Sequence, residues 1–457
     1  MKKIYIRLDT LSPLTVRADH AHDGAETAHY IPGTALMGSL AALHRALRGT
    51  DEEQFRRFFL NGEIYYPYLY PAVFKDDGLH GQDSPVYPLP KTAQSCKRHP
   101  GFRPTSGTKK DEDEETHGVR DSLLDRFLFT YGHDKLGREG LLATLREHRR
   151  CKGDPEKQRP CQEPMDRLEG YYRRNLLDLK EAQTAQVKKY LYLHTYTGIH
   201  RASGTVQDGI LYNRQVFKDG MRFWGMVQLA DEQLGKDFKK FLQDANASGM
   251  MHIGTGRTRG MGKVWVDFDD YEKETYSEKI EKRLDELNNC FQTHVKTYGF
   301  KELETRYFFA LTLHSPLILA NDSLSYRGSL DEQTVADLLG NRARAWSDEE
   351  AKQRLCKKLE ELRAHLEDYS KSLKLEYYAA SIRRITGWQD LWGMPRTNEL
   401  AIDTGSVFLF SLPAPALDAD ILRALYQLEA QGAGKRRAEG FGRICVSDAF
   451  HQKVDVL

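Results

Sequence analysis

The chain opens twice. Residues 5–19, YIRLDTLSPLTVRAD, and residues 308–322, FFALTLHSPLILAND, are strand-like stretches broken by Ser-Pro-Leu at the same place. Each copy also closes in one way, with a helical stretch, a basic glycine-rich loop and a strand. The loops are GTGRTRGMGKV (Gly254–Val264) and GAGKRRAEGFGRI (Gly432–Ile444). A chain of 457 residues exceeds one ordinary core. Opening and closing signals that recur in order predict two copies of one α+β module.

The first copy is expected over residues 1–270 and the second over 300–457, with a joining helix at 271–299. After the first strand, YIPGTALMGSLAALHRALRG predicts a helix capped by Thr34. Leu36, Leu40, Leu43 and Leu47 lie on one face and Gly49 is the stop. Residues 91–168 break the pattern with prolines, the acidic run Lys109–Thr116 and three cysteines, and read as an insertion. KKYLYLHTYTGIHR and GILYNRQVFKDGMRFWGMVQLA predict a β-hairpin system bent at KDG, followed by a helix near Asp231–Ala245. The joining helix, about Lys273–Val295, lines up Ile280, Leu284, Leu287 and Phe291. A helix near Asp420–Gln431 precedes the second loop. Leu355, Leu359, Leu362, Leu366 and Tyr369 have the spacing of a helix-pairing seam, but two heptads more often pack on their own domain.

Composition narrows the class. A net charge of +1 disfavours indiscriminate coating of nucleic acid, while leaving room for a local basic site. No apolar run reaches the roughly 20 residues that cross a bilayer, and the N-terminal alternation is that of a strand. Cytoplasmic residence is the expectation. The scattered cysteines do not form a disulfide framework. Cys96, Cys151 and Cys161 with His117 have the chemistry of a structural zinc site in the insertion. Their spacing is irregular, His99, His133 or His148 can replace His117, and free thiols are an equal alternative. His20, His22 and His29 read as loop residues.

Gly254, Gly256, Gly260 and Gly262 let a ligand approach bare backbone, and Arg257, Arg259 and Lys263 add charge suited to phosphate. The second loop repeats the recipe with Gly434, Gly440, Gly442, Lys435, Arg436, Arg437 and Arg443, around Glu439. The spacing between glycine pairs differs between the loops. Neither is a P-loop, and a dinucleotide site needs the glycines before a helix and not before a strand.

These residues resemble the RAMP superfamily of CRISPR-associated proteins. The likeness is carried by YIPGTALMGSLAAL, by HTYTGIHRASGTVQDGILYNRQVFKDGMRFWG (194–225), by LAIDTGSVFLF and by the glycine-rich loops. It is nearest to the large two-module subunit of type III-D effector complexes. The resemblance implies two ferredoxin-like (RRM-like) modules and a non-catalytic subunit that needs no cofactor. Such subunits hold the 5′ handle of the crRNA, cap the filament of backbone RAMP subunits and contact the large signalling subunit, meeting target RNA only indirectly. It implies RNA contacts from Thr34, from His200, Arg201 and Tyr212 of the hairpin, and from both loops. Met37 departs from the family, which often has a basic residue there.

Arg383 and Arg384, with Trp388 and Trp392, offer a stacking platform for bases, or the tryptophans fill the core. The rival reading is a metal-independent endoribonuclease acting on precursor crRNA, with His194, His200 or Tyr212 as its candidates. No Asp/Glu cluster with ligand spacing lies near either loop, which disfavours a metal-dependent cut.

Overall fold

The computed structural model describes residues 2–17, 26–49, 51–74, 85–103, 116–132, 150–153, 161–174, 182–270, 279–320, 325–365, 367–389 and 393–453. His20, His22, His133, His148, Leu366, Trp392 and most of the acidic run lie outside the described residues.

The first repeat comprises β1 (Lys2–Thr10), α1 (Gly33–Arg48), β2 (Ile64–Tyr65), β3 (Arg222–Leu229), α2 (Glu232–Ser248) and β4 (Val264–Asp270). Its antiparallel sheet has the order β4-β1-β3-β2. After the joining helix α3 (Ile280–Tyr298) come β5 (Arg306–Leu313), α4 (Glu332–Ala343), α5 (Glu349–Ala364), β6 (Lys374–Ala379), β7 (Val407–Pro413), α6 (Ala419–Gln431) and β8 (Ile444–Val446). Their sheet has the order β6-β7-β5-β8, again antiparallel. Numbered within each repeat, both sheets run 4-1-3-2. Two ferredoxin-like modules make up the chain.

The two sheets differ in how they are covered, and their first strands show why. KKIYIRLDT alternates, so Ile4, Ile6 and Leu8 point into the core with Leu36, Leu40, Phe238 and Phe241. The other face carries ion pairs, with Asp9 bidentate to Arg222 and Arg7 on Asp269. RYFFALTL is almost continuously apolar and is buried on both faces. Phe309 and Leu311 meet α4, α5 and α6, while Phe308 and Ala310 meet Leu287, Phe291 and Val295 of α3. Burying one such phenylalanine contributes about 1.5–3 kcal/mol. The joining helix thus covers the second sheet, from Ile280 onward. Helix Leu123–Gly132 of the insertion shares that face through Leu123 and Phe127.

Other expectations need correction or detail. The N-cap of α1 is Pro32, in extended conformation and with no side-chain cap, so Thr34 sits inside the first turn. Gly49 does end the helix, at positive φ, its N–H reaching the Arg45 carbonyl. Leu355, Leu359 and Leu362 are buried in their own module's core, leaving no free seam on that face.

Polar contacts knit the chain between residues 86 and 184 to the second module. His451 lies 2.8 Å from Asp121, Lys91 pairs with Asp403, and Arg174 pairs with Asp448, which also meets His314. Among the described residues, no helix is long and apolar enough to cross a membrane.

Candidate nucleic-acid interface

Ser-Pro-Leu and the glycine loops are halves of one device, built twice. The Ser12 hydroxyl accepts from the Lys263 N–H at 2.9 Å, as Ser315 does from Arg443 at 2.9 Å. The Pro13 carbonyl takes the Gly262 N–H at 2.9 Å, and that of Pro316 takes Gly442 at 2.8 Å. Thr15 and Ile318 accept from Thr255 and Lys435 at 3.0 and 2.9 Å. Gly254 therefore matches Gly434 and Gly262 matches Gly442, so the loops are equal in length, contrary to the spacing of their glycines. Gly432 belongs to the end of α6, its N–H bonded to Leu428, and Gly256 has Arg436 as its left-handed counterpart. Gly254 and Gly434 have positive φ, and a β-carbon on either would overlap the Thr15 or Ile318 carbonyl oxygen. These glycines let the loop seat on its own strand. That corrects the reading that all of them serve a ligand.

Gly260 needs a correction of its own. It ends the 3₁₀ turn Arg257–Arg259 in the left-handed region, at φ 77°, with its N–H donated to the Arg257 carbonyl at 3.1 Å. That N–H is already used inside the loop, so it is not the bare phosphate donor expected from the sequence. The left-handed turn end requires the glycine. Its counterpart Gly440 ends the second turn in the same conformation. The two differ in surroundings: a β-carbon on Gly260 would meet open space, whereas one on Gly440 would overlap the Tyr66 carbonyl oxygen.

The first loop is open. Arg257, Arg259 and Lys263 are exposed and form no ion pair among the described residues. Over them stands an arm, the hairpin Leu191–Ile199/Val206–Phe217. Alternation gives the arm two faces. His194, Tyr196, Tyr212 and Arg214 share one, because Tyr196 pairs with Tyr212 and His194 with Arg214. The tyrosine rings stack at 5.3 Å and 18°, and His194 lies 4.6 Å from Tyr196. Arg259 donates to the Tyr212 hydroxyl at 3.0 Å and lies over the Tyr196 ring at 5.6 Å. Arg214 donates to Thr255 at 3.2 Å. The opposite face exposes Leu193 and Leu211, each about two-thirds accessible (65% and 67%). His200 and Arg201 are at the arm's tip. His200 bonds locally to Ser203 and Thr205, and none of the contacts between arm and loop involves it.

The second loop is closed. Arg436 donates to Glu439 at 3.0 and 2.7 Å and to Glu399 at 2.6 Å, and lies on Phe441. Burial alone would lower its pKa, but the two glutamates outweigh that and raise it. Glu439 also holds Arg396. The loop packs on the first module: the Ala438 carbonyl accepts from the Tyr66 N–H at 3.0 Å, and Phe441 meets Tyr68 edge-on. A β-carbon on Gly33, at the mouth of α1, would overlap the Glu439 carbonyl, so protein covers that helix end beside Thr34. Arg437 donates to the Gln431 carbonyl at 3.4 Å, beside Arg342, and both Arg437 and Arg443 lie 5.8 Å from the Tyr65 ring. Burial, with Arg437 nearby, pulls Arg342 and Arg443 down to about 10. Lys435 is exposed. Arg383 is likewise committed, pairing with Asp403 at 3.0 Å and donating to the Tyr30 hydroxyl at 2.7 Å. Arg384 is exposed, and Trp388 pairs with Pro395 in a short hairpin.

Tyr196 and Arg214 are functional candidates that the sequence reading misses, and His194 enters it only as a candidate for precursor cleavage. The signal for Tyr196 and His194 is the run YLYLHTYTG, where every second residue from Tyr192 to Tyr196 is aromatic or histidine, and Arg214 lies outside it.

In the insertion, Cys96, His117, Cys151 and Cys161 converge, with one ligand atom from each lying within 4.8 Å of all the others. The group can hold a metal ion. His99 lies against the His117 ring at 4.3 Å and is not one of the four. Burial pushes the Cys151 thiol up to about 12.

The RAMP superfamily profile matches residues 7–265, and the chain belongs to that superfamily. No curated protein matches it. Among solved structures, it is similar to a chain of the type III-B Cmr-beta complex bound to cognate target RNA. The TM-score is 0.36 and the identity 10%, over 96% of each chain. It is also similar to Cas6 in a product complex, with a TM-score of 0.38 and 10% identity over 98% of this chain and 100% of that one.

Proposed function

We propose that the chain is a non-catalytic, RNA-binding subunit of a type III CRISPR effector complex, of the III-D kind its motifs resemble. It holds the 5′ handle of the crRNA on the first glycine loop and the inner face of the arm. The observation that carries this reading is the placement of Arg259 against the stacked Tyr196 and Tyr212, with Arg257 exposed in the same loop and neither arginine in a described ion pair. A handle is single-stranded, and proteins read such RNA with aromatic rings and guanidinium planes while cations meet its phosphates. RAMP membership supports the same assignment. The arm's outer face, with Leu193 and Leu211, suits a backbone RAMP subunit, and the closed second loop leaves the second module free to face the signalling subunit.

Purification of the chain from its host with its bound RNA, followed by sequencing, tests the reading. A uniform 5′ end of repeat-derived sequence is expected. Random fragments, or no RNA, overturn it.

A second reading rests on one contact set. His194 Nδ1 lies 3.3 Å from the Tyr196 hydroxyl, close to Arg259, so a base and a cation adjoin the RNA path. That arrangement suits an endoribonuclease acting on precursor crRNA.

A further inference from the structure

We infer that Cys96, His117, Cys151 and Cys161 bind one structural Zn²⁺ ion, which pins the insertion onto the second module. In a tetrahedral Cys₃His site, bond lengths of about 2.3 Å to sulfur and 2.0 Å to nitrogen set ligands about 3.5–3.8 Å apart. The structure gives 3.9 Å between Cys96 and Cys161 Sγ, and 3.3 Å between Cys151 Sγ and His117 Nδ1. Three of the four ligands are at most 4% exposed, and only Cys161 is half-buried. Thiols and an imidazole are soft and borderline donors, which select zinc over magnesium or calcium.

The backbone around the four is organised as a metal-binding fold requires. Two tightly hydrogen-bonded segments supply two ligands each. In one, His117 N–H meets the His99 carbonyl and Gly118 N–H that of Gly101. In the other, the Cys151 N–H meets Glu163 and the Gln162 N–H meets Cys151. Gln162, next to Cys161, adopts a left-handed conformation that non-glycine residues rarely take. The Gly153 N–H points at Cys151 Sγ at 3.3 Å, the outer contact that orients a ligating sulfur. The local core is too small to hold these turns unaided: Leu89, Ala93, Val119, Tyr172, Ala182, Ala449 and Phe450 are its buried apolar residues.

A second group, His314, Cys445 and Asp448, also has close donor atoms, but Asp448 already takes Arg174 at 2.5 Å and His314 at 2.7 Å. It is an ion-pair network and not a cation site.

The position of the four ligands gives the metal a consequence beyond the insertion. Cys96 ends the strand Ala93–Cys96, which pairs with Val119–Asp121, and Asp121 holds His451 of the second module. Zinc fixes one end of that strand pair, and the joint between insertion and second module hangs from the other.

The test uses the full chain, purified without chelator. Elemental analysis should find about one zinc per chain. Replacement by Co²⁺ should give the visible thiolate-to-cobalt bands of a tetrahedral site. Cys151→Ser combined with Cys161→Ser should abolish the bands, whereas Cys356→Ser, at an exposed cysteine, should keep them. Chelation should speed hydrogen exchange at 93–101 and 116–121 and then at 448–453, leaving β1 and β4 protected. A folded wild-type chain with less than about a tenth of an equivalent of zinc and no cobalt bands overturns the proposal. So does a Cys96–Cys161 disulfide found by mass spectrometry in freshly purified protein.

Discussion

Arg259 and Glu439 occupy equivalent positions at the ends of the two 3₁₀ turns, and the difference in charge decides what each loop does. In the first loop no described carboxylate neutralises the cations, and Arg259 reaches up to the arm. In the second, Glu439 turns inward on Arg436 and Arg396, and the loop closes on Tyr66 and Gly33. One device has been kept for its geometry and given two surfaces. Arg257→Ala with Arg259→Ala should therefore weaken handle RNA binding. It should also reduce the salt slope by about 1.4, at about 0.7 per lost contact on a single strand. Arg436→Ala should leave that slope unchanged and lower stability by about 1–3 kcal/mol, because it takes the described arginine from Glu399 and leaves Glu439 with Arg396 alone. Fluorescence-anisotropy titrations over a salt series, with thermal melts, read both. A slope that drops in the Arg436 variant returns the second loop to the RNA path.

The stacked pair on the arm makes a separate prediction. Tyr196→Ala removes a ring surface without removing charge, so affinity should fall by about 1–3 kcal/mol with the salt slope intact. Tyr196→Phe keeps the ring and loses only the hydroxyl contacts to Met261 and His194. It should bind within about twofold of wild type. Equal losses in the two variants mean that the hydroxyl, and not stacking, is at work.

The two repeated modules and the place of a glycine-rich loop before the last strand of each were legible because alternation, Ser-Pro-Leu and loop glycines are local signals. The fate of the second loop was not. GAGKRRAEGFGRI reads as a basic loop, and only the fold shows Glu399 and Glu439 on one arginine and Tyr66 beneath. Gly260 and Gly440 look alike in the sequence, yet one ends its turn in open space and the other against the first module. Arg383 misleads for the same reason, since its partner Asp403 is twenty residues away along the chain. Thr34 looks like a cap because Thr caps helices often, but Pro32 already fixes the entry. The metal-site ligands span Cys96 to Cys161 with no repeated spacing, so only folding brings them together.

The joint itself can be probed from the first module. Gly33→Ala places a β-carbon against the Glu439 and Tyr66 carbonyl oxygens, forcing α1 and the second loop apart. A cost of about 1–3 kcal/mol is expected, with RNA affinity preserved because the first loop is untouched. Calorimetric melts check this. An unchanged midpoint means the modules shift apart freely.

Stability should also depend on pH through His451. Burial alone would lower its pKa, but Asp121 and Asp448 outweigh burial and raise it above the usual 6.5, with Arg174 opposing and Thr312 Oγ1 at 2.8 Å from Nε2. A folded value above the unfolded one stabilises the fold fully below about pH 6.5, and the gain is lost as pH rises through the raised value. Melts between about pH 6 and 9 should show falling stability, and Asp121→Asn should flatten that fall. Asp448, held low by Arg174 and His314 despite its burial, acts oppositely and only in acid. A wild-type profile that rises across this window refutes the charged pairing.

The last prediction separates holding RNA from cutting it. His200 is tied into the arm's tip by Ser203 and Thr205, and none of its described hydrogen bonds reaches either glycine loop. His194 is better placed, next to Tyr196 and Arg259, yet both of its ring neighbours, Tyr192 and Tyr196, are stacking surfaces. General acid–base cleavage also needs a second proton carrier across the scissile phosphate. Tyr212 already accepts from Arg259 and is the residue nearest to that role. The purified chain should therefore bind precursor crRNA and leave it intact over hours. His194→Ala and His200→Ala should leave processing by the complete complex unchanged, or slow it only as far as binding weakens. Cleavage by the wild-type chain alone, lost in His194→Ala at unchanged affinity, would make the arm's inner face an active site and the chain an endoribonuclease.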